Sequence, residues 1–594
     1  MPPSACVTSV TQWAWRTERF TCRLLAAGRC VSFPWRNEIM HTASSVLDTP
    51  PRQSAHARAH APESVPVSHR WHTGNLLAFS HLDGPADYTH GLVARTVPDG
   101  IDCKFPGPGH VRFLHRVGQS RVTGDWFEAQ ADDGSLIRGV MLDAHHLLVE
   151  GSCEMHAASA AIASLSGNGR LLVGSSARFN PALLDIDFDA IVRTRLHWLK
   201  RQLPRLPRPV PAASRHPLVR ALSQMKGQVC SPEGIIRHPW TTPDRWPHRD
   251  MWLWDSAFHA IGWRHIDPAL AQQMIDAVLD VQAPDGFVPH MANPRRRSDI
   301  TQPPVLALGA SLVFEKTRDL AWLAALYPKL CACVEWNAAH RDTDGGGLLE
   351  WFIEQTPDCR SGESGMDNSP RFDIAVPLDA PDFNAYQASE YETLAAFALL
   401  LGRPDEAARW SARHAALCAL INEKLWSDEH RLYCDLDPRT GRHTGILSSA
   451  GFLPLLCGAP DLCQAMELAA HLENPATFGT AFPIPSIAAC DAASYSKDMW
   501  RGPTWININW LVARGLRRYG LSAAADRLRT LTLAELERTC ATWGTFFEYF
   551  DDRRQVEPPF LLRKLKNIPG RHPHQAIHDY GWSATLYVDW LLES

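Results

Sequence analysis

The chain has 594 residues, of which 45% are hydrophobic and 21% are charged, and its formal net charge at pH 7 is −5. This length exceeds one ordinary domain and predicts two or three globular domains. The balanced charge gives no electrostatic reason to expect nucleic acid or an anionic membrane as a partner, and no apolar run reaches the ~18 residues of a membrane helix.

The N-terminal residues 1–68 carry no clear structural pattern. Arginines outnumber acids in the first half of this stretch, and residues 49–65 are rich in Pro, Ala and His. The stretch lacks an apolar segment followed by a small-residue cleavage site, so we predict no secretory signal. We expect a disordered extension. It is either an Arg-rich transit peptide or a stretch that precedes the true translation start, for which Met40 is a candidate.

Short strands are predicted throughout residues 69–184. Gly, Asp and Pro separate them at regular spacing, which is typical of an antiparallel β-sandwich. The sequence Asp132, Asp133, Gly134 has the composition of a hairpin turn. The predicted strands are 91–97, 110–117, 126–131, 136–142, 146–150 and 170–175.

One amphipathic helix is predicted over 185–203, because Val192, Leu196 and Leu199 recur on one face. An Arg/Pro-rich stretch follows it up to residue 217, and this composition is typical of a linker. We therefore assign 185–217 to a linker helix and a linker between two domains.

Helical patterns fill residues 218–594. This pattern predicts a bundle, a solenoid or a toroid of helix hairpins. The helices have no fixed repeat period, which disfavours a solenoid, and their long loops fit a toroid with a site at one end. The predicted helices are 216–229, 252–265, 268–282, 303–317, 319–341, 385–402, 405–426, 505–519, 522–540 and 580–592.

Two of the long loops hold candidate groups for sugar chemistry. At the start of one predicted helix, Trp252 and Trp254 offer flat faces for a sugar ring. Asp255 follows them and is either a helix cap or an acceptor for sugar hydroxyls. In the stretch 363–370, small residues and Pro surround Asp367, which suits a tightly held proton donor, although an Asx-turn is the structural alternative.

A third loop holds Glu548 among the aromatic residues of 546–550. Burial in such surroundings raises the pKa of a carboxyl group unless other groups hydrogen-bond its ionised form. This setting suits a functional acid or base. The structural alternative is a buried glutamate that is paired with an arginine such as Arg501.

The fifteen cysteines are scattered along the chain. They form no CxxC pair and no Cys/His cluster with zinc spacing, which predicts free thiols in a reducing compartment. We therefore expect a cytoplasmic protein that needs neither a metal nor a cofactor for its chemistry. The sequence leaves open whether a carboxylate-rich loop binds a structural calcium ion.

Six strings, in this order, resemble family 63 glycoside hydrolases and in particular the bacterial mannosylglycerate and glucosylglycerate hydrolases. The strings are Trp-Leu-Trp-Asp at 252–255, Pro-Asp-Gly-Phe-Val-Pro-His at 284–290, Asp-Ile-Thr-Gln at 299–302, Glu-Ser-Gly-Met-Asp-Asn-Ser-Pro at 363–370, Trp-Arg-Gly-Pro-Thr-Trp at 500–505 and Phe-Phe-Glu-Tyr-Phe at 546–550. The resemblance implies a mainly α protein. An N-terminal antiparallel β-sandwich domain (69–184) would precede an (α/α)6-barrel catalytic domain (218–594).

The resemblance also implies a reaction and its residues. Members of the family hydrolyse α-glycosides with inversion, so we expect Asp367 as the general acid and Glu548 as the general base, roughly 6.5–9.5 Å apart. The expected partner is a small carbohydrate, an α-glucoside or α-mannoside such as glucosylglycerate or mannosylglycerate, and a homo-oligomer is left open. Substrate binding is implied for Trp252, Trp254, Asp255, Gln302, Gly365, Asn368, Trp500, Arg501 and Trp505.

Three features depart from the family pattern. Met366 and Met499 stand where members often have Trp and Tyr, and the stretch 551–579 is unusually long and basic. This basic loop is either simply exposed to solvent or binds an anionic aglycone such as glycerate.

Two alternative functions fit the same kind of fold. A phosphate-dependent glycoside phosphorylase would need no base carboxylate, and a carbohydrate-binding protein would show no turnover. A trehalase-like enzyme is less favoured, because its usual signature strings are missing from the sequence.

Overall fold

The computed structural model describes residues 71, 74–206, 209–354, 356, 359–564 and 576–593. The predicted extension at 1–68 lies outside these residues, and so does the part of the basic loop at 565–575. Among the described residues, no helix combines the length and the apolar character needed to cross a membrane.

Two antiparallel sheets occupy the N-terminal part of the described chain. Their strands are β1 (Leu76–Ala78), β2 (Val93–Val97), β3 (Gly100–Lys104), β4 (Gly109–Phe113), β5 (Val117–Val122), β6 (Trp126–Ala131), β7 (Leu136–Asp143), β8 (His146–Glu150), β9 (Cys153–Ala157), β10 (Ile162–Gly167) and β11 (Arg170–Ser175). The first sheet has the order β1-β2-β3-β4-β9 and the second has the order β10-β11-β8-β7-β6-β5. Both sheets contribute to one buried core, for example Val111 from the first and Phe127 from the second, because alternate side chains of a strand share a face.

Five of the six predicted strands are confirmed, and the sixth runs from one sheet into the other. The strand predicted at 110–117 is in fact β4 and β5, which belong to different sheets. The predicted hairpin turn joins β6 to β7, and Gly134 has the left-handed φ of +85° that suits it. The sequence pattern missed β1, β3, β9 and β10, and it covered only the first residue of β5. Strands β9 and β10 expose most of their side chains, so hydrophobic alternation is weak there.

Helix α1 (Phe188–Gln202) covers the second sheet on the face opposite to the shared core. Asp187 caps the helix by accepting a hydrogen bond from the backbone N–H of Ala190 (3.0 Å). Phe188 and Val192 are buried against Val140 and other apolar residues of that face. The helix predicted over 185–203 is thus confirmed, with small shifts at its ends.

The remaining helices of the described chain alternate between two kinds of position. They are α2 (Arg215–Gly227), α3 (Leu253–Trp263), α4 (Pro268–Asp280), α5 (Leu306–Thr317), α6 (Leu320–His340), α7 (Pro381–Leu400), α8 (Pro404–Leu420), α9 (Pro454–Cys457), α10 (Leu462–His471), α11 (Ile506–Arg518), α12 (Ser522–Trp543) and α13 (Gly581–Leu592). Helix α3 packs against α5, α5 against α7, α7 against α9, α9 against α11, α11 against α13, and α13 against α3. These six helices therefore form a closed ring. Helices α4, α8 and α12 pack against members of the ring.

Burial distinguishes the ring helices from the helices packed on them. Every residue of α3 and of α13 is buried, as expected for a helix that is surrounded on all sides. Helix α12 buries residues along one side, for example Leu528, Thr532 and Leu536, and leaves the rest of its residues at least partly exposed. The ring helices therefore lie in the interior, and their ends are the positions where loops can enclose a site.

All ten predicted helices are confirmed, with boundary shifts of a few residues. Helices α9 and α10 were not predicted. Helix α9 is a single turn, which is too short for a periodic pattern. Helix α10 begins with a capping box between Asp461 and Gln464, which is the sequence signal that could have found it.

The sheet region braces the beginning of α13. The backbone N–H of Leu76 in β1 donates a hydrogen bond to the carboxylate of Asp579 (3.2 Å), and Arg220 of α2 forms an ion pair with the same carboxylate. Asp579 lies just before α13, so these contacts hold the first turn of a ring helix in place. The domain boundaries given above stay predictions.

Candidate active site

A cavity of about 200 Å³ lies where several ring helices begin. Helices α3, α11 and α13 start at its wall, and the loops that precede α5 and α7 complete it. Both carboxylates expected to act in catalysis, Asp367 and Glu548, line this cavity. The lining residues are Pro243, His248, Trp252, Trp254, Asp255, His290, Gln302, Glu354, Cys359, Gly362, Gly365, Asp367, Met499, Trp500, Trp505, Glu548, Arg563, Lys564, Tyr580 and Trp582.

Asp367 lies in a loop that is tied down on both sides. Its backbone carbonyl accepts hydrogen bonds from the backbone N–H groups of Arg360 (2.6 Å) and Ser361 (3.2 Å). Glu363, four residues before it, forms a bidentate ion pair with Arg341, with N–O distances of 2.6 and 2.7 Å. The carboxylate of Asp367 itself forms an ion pair with Lys564. The loop therefore presents one acidic group in a well-defined place.

Gly365 is needed for the close approach of this loop to the cavity wall. Its φ is +70°, which is in the left-handed region that favours glycine. A Cβ atom at this position would lie 2.5 Å from the indole ring of Trp254. Any side chain at 365 would thus push the loop of Asp367 away from Trp254.

Glu548 is the most enclosed of the expected catalytic groups. It is 2% exposed, and its backbone N–H donates a hydrogen bond to the carbonyl of Ile577 (2.8 Å). Its carboxylate forms an ion pair with Arg563, which in turn donates to Nε2 of His248 (3.1 Å). Burial raises the pKa of Glu548 above its ordinary value, while Arg563 and His248 act to lower it. An arginine thus pairs with this buried acid, as in the structural alternative, and partly offsets the effect of burial, but the arginine is Arg563 and not Arg501.

Asp255 is a buried carboxyl group near Glu548. It is 2% exposed, and its Oδ1 has no hydrogen-bond partner among the described residues. Burial first, and then the neighbouring carboxyl groups of Glu548 and Asp244, raise the pKa of Asp255 well above its ordinary value. An acceptor without a partner in a polar cavity suits a hydroxyl donor of a ligand. This arrangement agrees with the reading of Asp255 as a sugar-binding group rather than a simple cap.

Indole rings form the apolar part of the cavity wall. Trp500 and Trp505 stack with 3.7 Å between ring centroids and an interplanar angle of 4°. Trp254 meets Trp582 edge to face at 5.2 Å. The Nε1 atoms of Trp500 and Trp582 have no hydrogen-bond partner among the described residues. These rings offer both flat faces and N–H donors, which is the combination that sugar binding uses.

Three other expected binding residues form hydrogen bonds within the cavity wall or just behind it. Gln302 lines the cavity, and its side-chain oxygen accepts from the backbone N–H of Trp254 (3.2 Å). The side-chain oxygen of Asn368 accepts from the backbone N–H of Trp500 (3.0 Å), and Arg501 donates to the backbone carbonyl of Asn368 (2.9 Å). Asn368 and Arg501 are not among the cavity-lining residues. Their part in substrate binding stays a prediction, and the contacts are those of positioning residues.

Arg501 instead lines a larger cavity of about 310 Å³. There it forms an ion pair with Asp373, with one N–O distance of 3.0 Å. This second cavity contains neither Asp367 nor Glu548. The smaller cavity is therefore the better candidate for a glycosidic site, because acid–base chemistry needs the carboxyl groups to reach the same ligand.

Sequence reasoning missed several residues of the cavity. Arg563 and Lys564 were noted only as members of a basic loop, and their adjacent positions did not reveal that each contacts a different carboxylate. Tyr580 and Trp582 flank the start of the last predicted helix, as Trp252 and Trp254 flank an earlier one, and that parallel is the signal that could have found them. For His248, Glu354 and Cys359 we find no comparable sequence signal.

The family model of the mannosylglycerate hydrolase MGH1-like glycoside hydrolase domain matches residues 247–583. This match covers more than half of the chain and includes all six strings. The chain belongs to this family. The resemblance to family 63 glycoside hydrolases is thereby confirmed, and so is the assignment to the glycoside hydrolases.

Two curated relatives of this MGH1-like glycoside hydrolase bear names that specify a substrate. The chain is 30% identical over 397 residues to the mannosylglycerate hydrolase of Thermus thermophilus, which covers 53% of this chain and 92% of the relative. It is 26% identical over 450 residues to the glucosylglycerate hydrolase of Mycolicibacterium hassiacum, which covers 59% of this chain and 93% of the relative.

A solved structure of the same family resembles more than half of the chain. It is a family 63 mannosylglycerate hydrolase, also from Thermus thermophilus, in complex with glucose, at a TM-score of 0.51 and 28% identity. The match covers 62% of this chain and 98% of that chain.

Proposed function

We propose that the protein hydrolyses a small α-glucoside or α-mannoside with inversion at the anomeric carbon. The arrangement of Asp367 and Glu548 carries this proposal, because both carboxyl groups line one cavity although they come from distant loops. An inverting glycosidase needs one carboxyl group to protonate the leaving oxygen and a second to activate water on the opposite face of the sugar. The surrounding tryptophans supply the flat surfaces that sugar rings bind.

Asp367 is the proposed general acid and Glu548 the proposed general base. The proton of Asp367 passes to the glycosidic oxygen while the bond from that oxygen to the anomeric carbon breaks. Glu548 removes a proton from a water molecule, whose oxygen forms the new bond to the anomeric carbon. The sugar released from an α-glycoside is therefore the β anomer. The ion pair with Arg563 supports this role, because a base has to be ionised before the reaction.

The size of the cavity and two cations in its wall favour a small anionic glycoside. Its volume of about 200 Å³ is below the roughly 300–1,000 Å³ of pockets for drug-sized ligands, and suits one sugar with a short aglycone. Arg563 and Lys564 bring two cations to the cavity. The names of the relatives specify mannosylglycerate and glucosylglycerate, and the glycerate part of both carries a carboxylate that such cations bind.

Lys564 links the binding of an anionic aglycone to the action of Asp367. Its ammonium group forms an ion pair with the carboxylate of Asp367. A carboxylate held in this way does not donate a proton, so the pair has to open before Asp367 acts as an acid. In the proposed bound state, the aglycone carboxylate attracts Lys564 and leaves Asp367 free to carry its proton.

We also infer that residues 218–594 form an (α/α)6 barrel and that an antiparallel β-sandwich domain at 69–184 precedes it. The closed ring from α3 to α13 supports the barrel, as do the partly exposed helices packed on that ring. The single core shared by the two sheets supports the sandwich.

The proposal is tested by the stereochemistry of the product. The purified protein is incubated with a panel of α-glucosides and α-mannosides that includes glucosylglycerate and mannosylglycerate, and the anomeric proton of the released sugar is followed by NMR. We expect the β anomer first, with little turnover by Asp367→Asn or Glu548→Gln. First release of the α anomer would mean a retaining mechanism and other roles for both residues. Turnover only in the presence of phosphate would favour a phosphorylase.

A further inference from the structure

A second group of carboxylates lies outside the active-site cavity, between the end of α6 and the start of α7. Asp344 and Glu350 belong to the loop that follows α6, and Asp379 lies just before α7. One oxygen of each of these three carboxyl groups lies within 4.8 Å of the other two. Backbone pairing between Glu350 and Asp379 brings the two segments together.

Asp379 has no partner in this group that offsets its charge. It is 6% exposed, and its Oδ1 has no hydrogen-bond partner among the described residues. Asp344, Glu350 and Asp342 are neighbouring negative charges, and Lys424 is a positive charge that acts against them. A buried carboxylate that faces other carboxylates is unfavourable unless a cation binds among them.

The loop presents oxygen atoms and is shaped by hydrogen bonds of its own. The backbone N–H of Gly346 donates to Asp344 (2.7 Å), and the backbone N–H of Thr343 donates to Glu350 (2.8 Å). A neighbouring Oδ1, that of Asp342, is also buried without a partner among the described residues. A set of ligands made only of oxygen suits Ca²⁺, which accepts six to eight such ligands in irregular geometries, better than it suits zinc or other softer metals.

We propose that Asp344, Glu350 and Asp379, with Asp342 beside them, bind one structural Ca²⁺ ion. The site is distinct from the glycosidic cavity and does not depend on the function proposed for that cavity. The ion would join the loop after α6 to the segment before α7 and relieve the repulsion between their carboxylates.

A bound ion would also steady the loop of the proposed general acid. Glu350 is followed by Trp351, whose indole N–H donates to Asp382 in α7 (3.0 Å). The next residue, Phe352, donates its backbone N–H to Glu363 (3.2 Å) and accepts from the hydroxyl of Ser361 (2.9 Å). Both of these partners belong to the loop that holds Asp367.

The test measures calcium binding to the full chain after removal of metals with a chelator. We expect calorimetric titration to show one Ca²⁺ per chain and the melting temperature to rise by at least about 2 °C with saturating Ca²⁺. The double variant Asp344→Asn with Asp379→Asn should lose both responses. Without metal it should melt at or above the metal-free original chain, because like-charge repulsion is removed.

The described chain offers a matched control, because a second carboxylate group lies on the surface at Asp132 and Asp133 beside His115. The double variant Asp132→Asn with Asp133→Asn should keep the full calcium response. The proposal is overturned if Ca²⁺ neither binds nor stabilises the original chain, or if the Asp344/Asp379 variant responds as strongly as the control. An equal response to Mg²⁺ alone would overturn the assignment to calcium.

Discussion

Arg563 and Glu548 form a buried ion pair in the active-site cavity, and Arg563 also donates to Nε2 of His248 across 3.1 Å. Burial raises the pKa of Glu548, and the guanidinium group is the first of the groups that act against this rise. The pair therefore determines the pH above which Glu548 is ionised and can act as a base.

We expect Arg563→Gln to shift the acidic limb of the kcat/KM profile to higher pH by about 1–3 units. Loss of a neighbouring positive charge raises the pKa of a carboxyl group by about that amount, so Glu548 stays protonated over a wider range. The measurement is kcat/KM between pH 4 and pH 8, since this ratio reports the free enzyme. Arg553→Gln, in the same loop but outside the cavity lining, is the control and should keep the original profile. An unshifted limb in Arg563→Gln would mean that Glu548 is not the titrating base.

Asp367→Asn and Glu548→Gln are each expected to lower kcat by about 10²–10⁴-fold. The two variants should respond differently when the leaving group of the substrate is changed. An aryl glycoside with an acidic phenol departs without protonation, so Asp367→Asn should recover much of its activity on it. Glu548→Gln should not, because water still has to be activated. Steady-state rates on an alkyl and an aryl α-glycoside make the comparison. Recovery by Glu548→Gln instead would exchange the two roles.

Asp255→Asn is expected to make the protein more stable and less active. The pKa of Asp255 is well above its ordinary value in the folded protein. Deprotonation therefore costs more in the folded than in the unfolded state, and this carboxyl lowers stability as pH rises above about 4. Asparagine removes that penalty, so the melting temperature at pH 7 should rise. The substitution also removes a hydrogen-bond partner of a sugar hydroxyl, which should lower kcat/KM about 2- to 12-fold. A variant with unchanged kcat/KM would assign Asp255 no part in binding.

Gly365→Ala and Gly402→Ala separate backbone strain from steric conflict. Both glycines have a left-handed φ, +70° and +72°, but an added Cβ meets Trp254 at position 365 and nothing within 4 Å at position 402. Both variants should lose about 1 kcal/mol of unfolding free energy from the backbone, and Gly365→Ala about 1–3 kcal/mol more from overpacking. Urea unfolding gives these values. Equal losses would show that the contact with Trp254 relaxes without cost.

Lys564→Met tests the preference for an anionic aglycone. We expect its KM for glucosylglycerate to rise about 10- to 150-fold, because one charge-assisted contact is lost, and its KM for the uncharged glucosylglycerol to change little. Arg554→Met is the control from the same loop, since Arg554 forms an ion pair with Glu535 (2.8 Å) and does not line the cavity. If the KM values for the two substrates change by the same factor, Lys564 does not bind the charged group of the aglycone.

Much of this protein is readable from local sequence. The period of hydrophobic residues predicts α1, and turn composition predicts the hairpin around Gly134, because backbone sterics and burial of one face act over ten to twenty residues. The six strings identify the family for a related reason. Each string is a short loop or the start of a helix, and each contributes at least one residue to the lining of the same cavity, so the strings and their order are visible in the sequence itself.

Only the tertiary structure decides which of these segments meet. Arg563 pairs with Glu548 and Lys564 with Asp367, whereas Arg501 pairs with Asp373. The hydrophobic pattern of the sequence does not predict these ion pairs. They depend on how the ends of packed helices are arranged in space, and not on neighbours along the chain. The split of the segment 110–117 between two sheets has the same origin. The sequence by itself determined most of the elements and the candidate chemistry, because both depend on neighbours along the chain. Long-range packing decided which charged groups pair with one another.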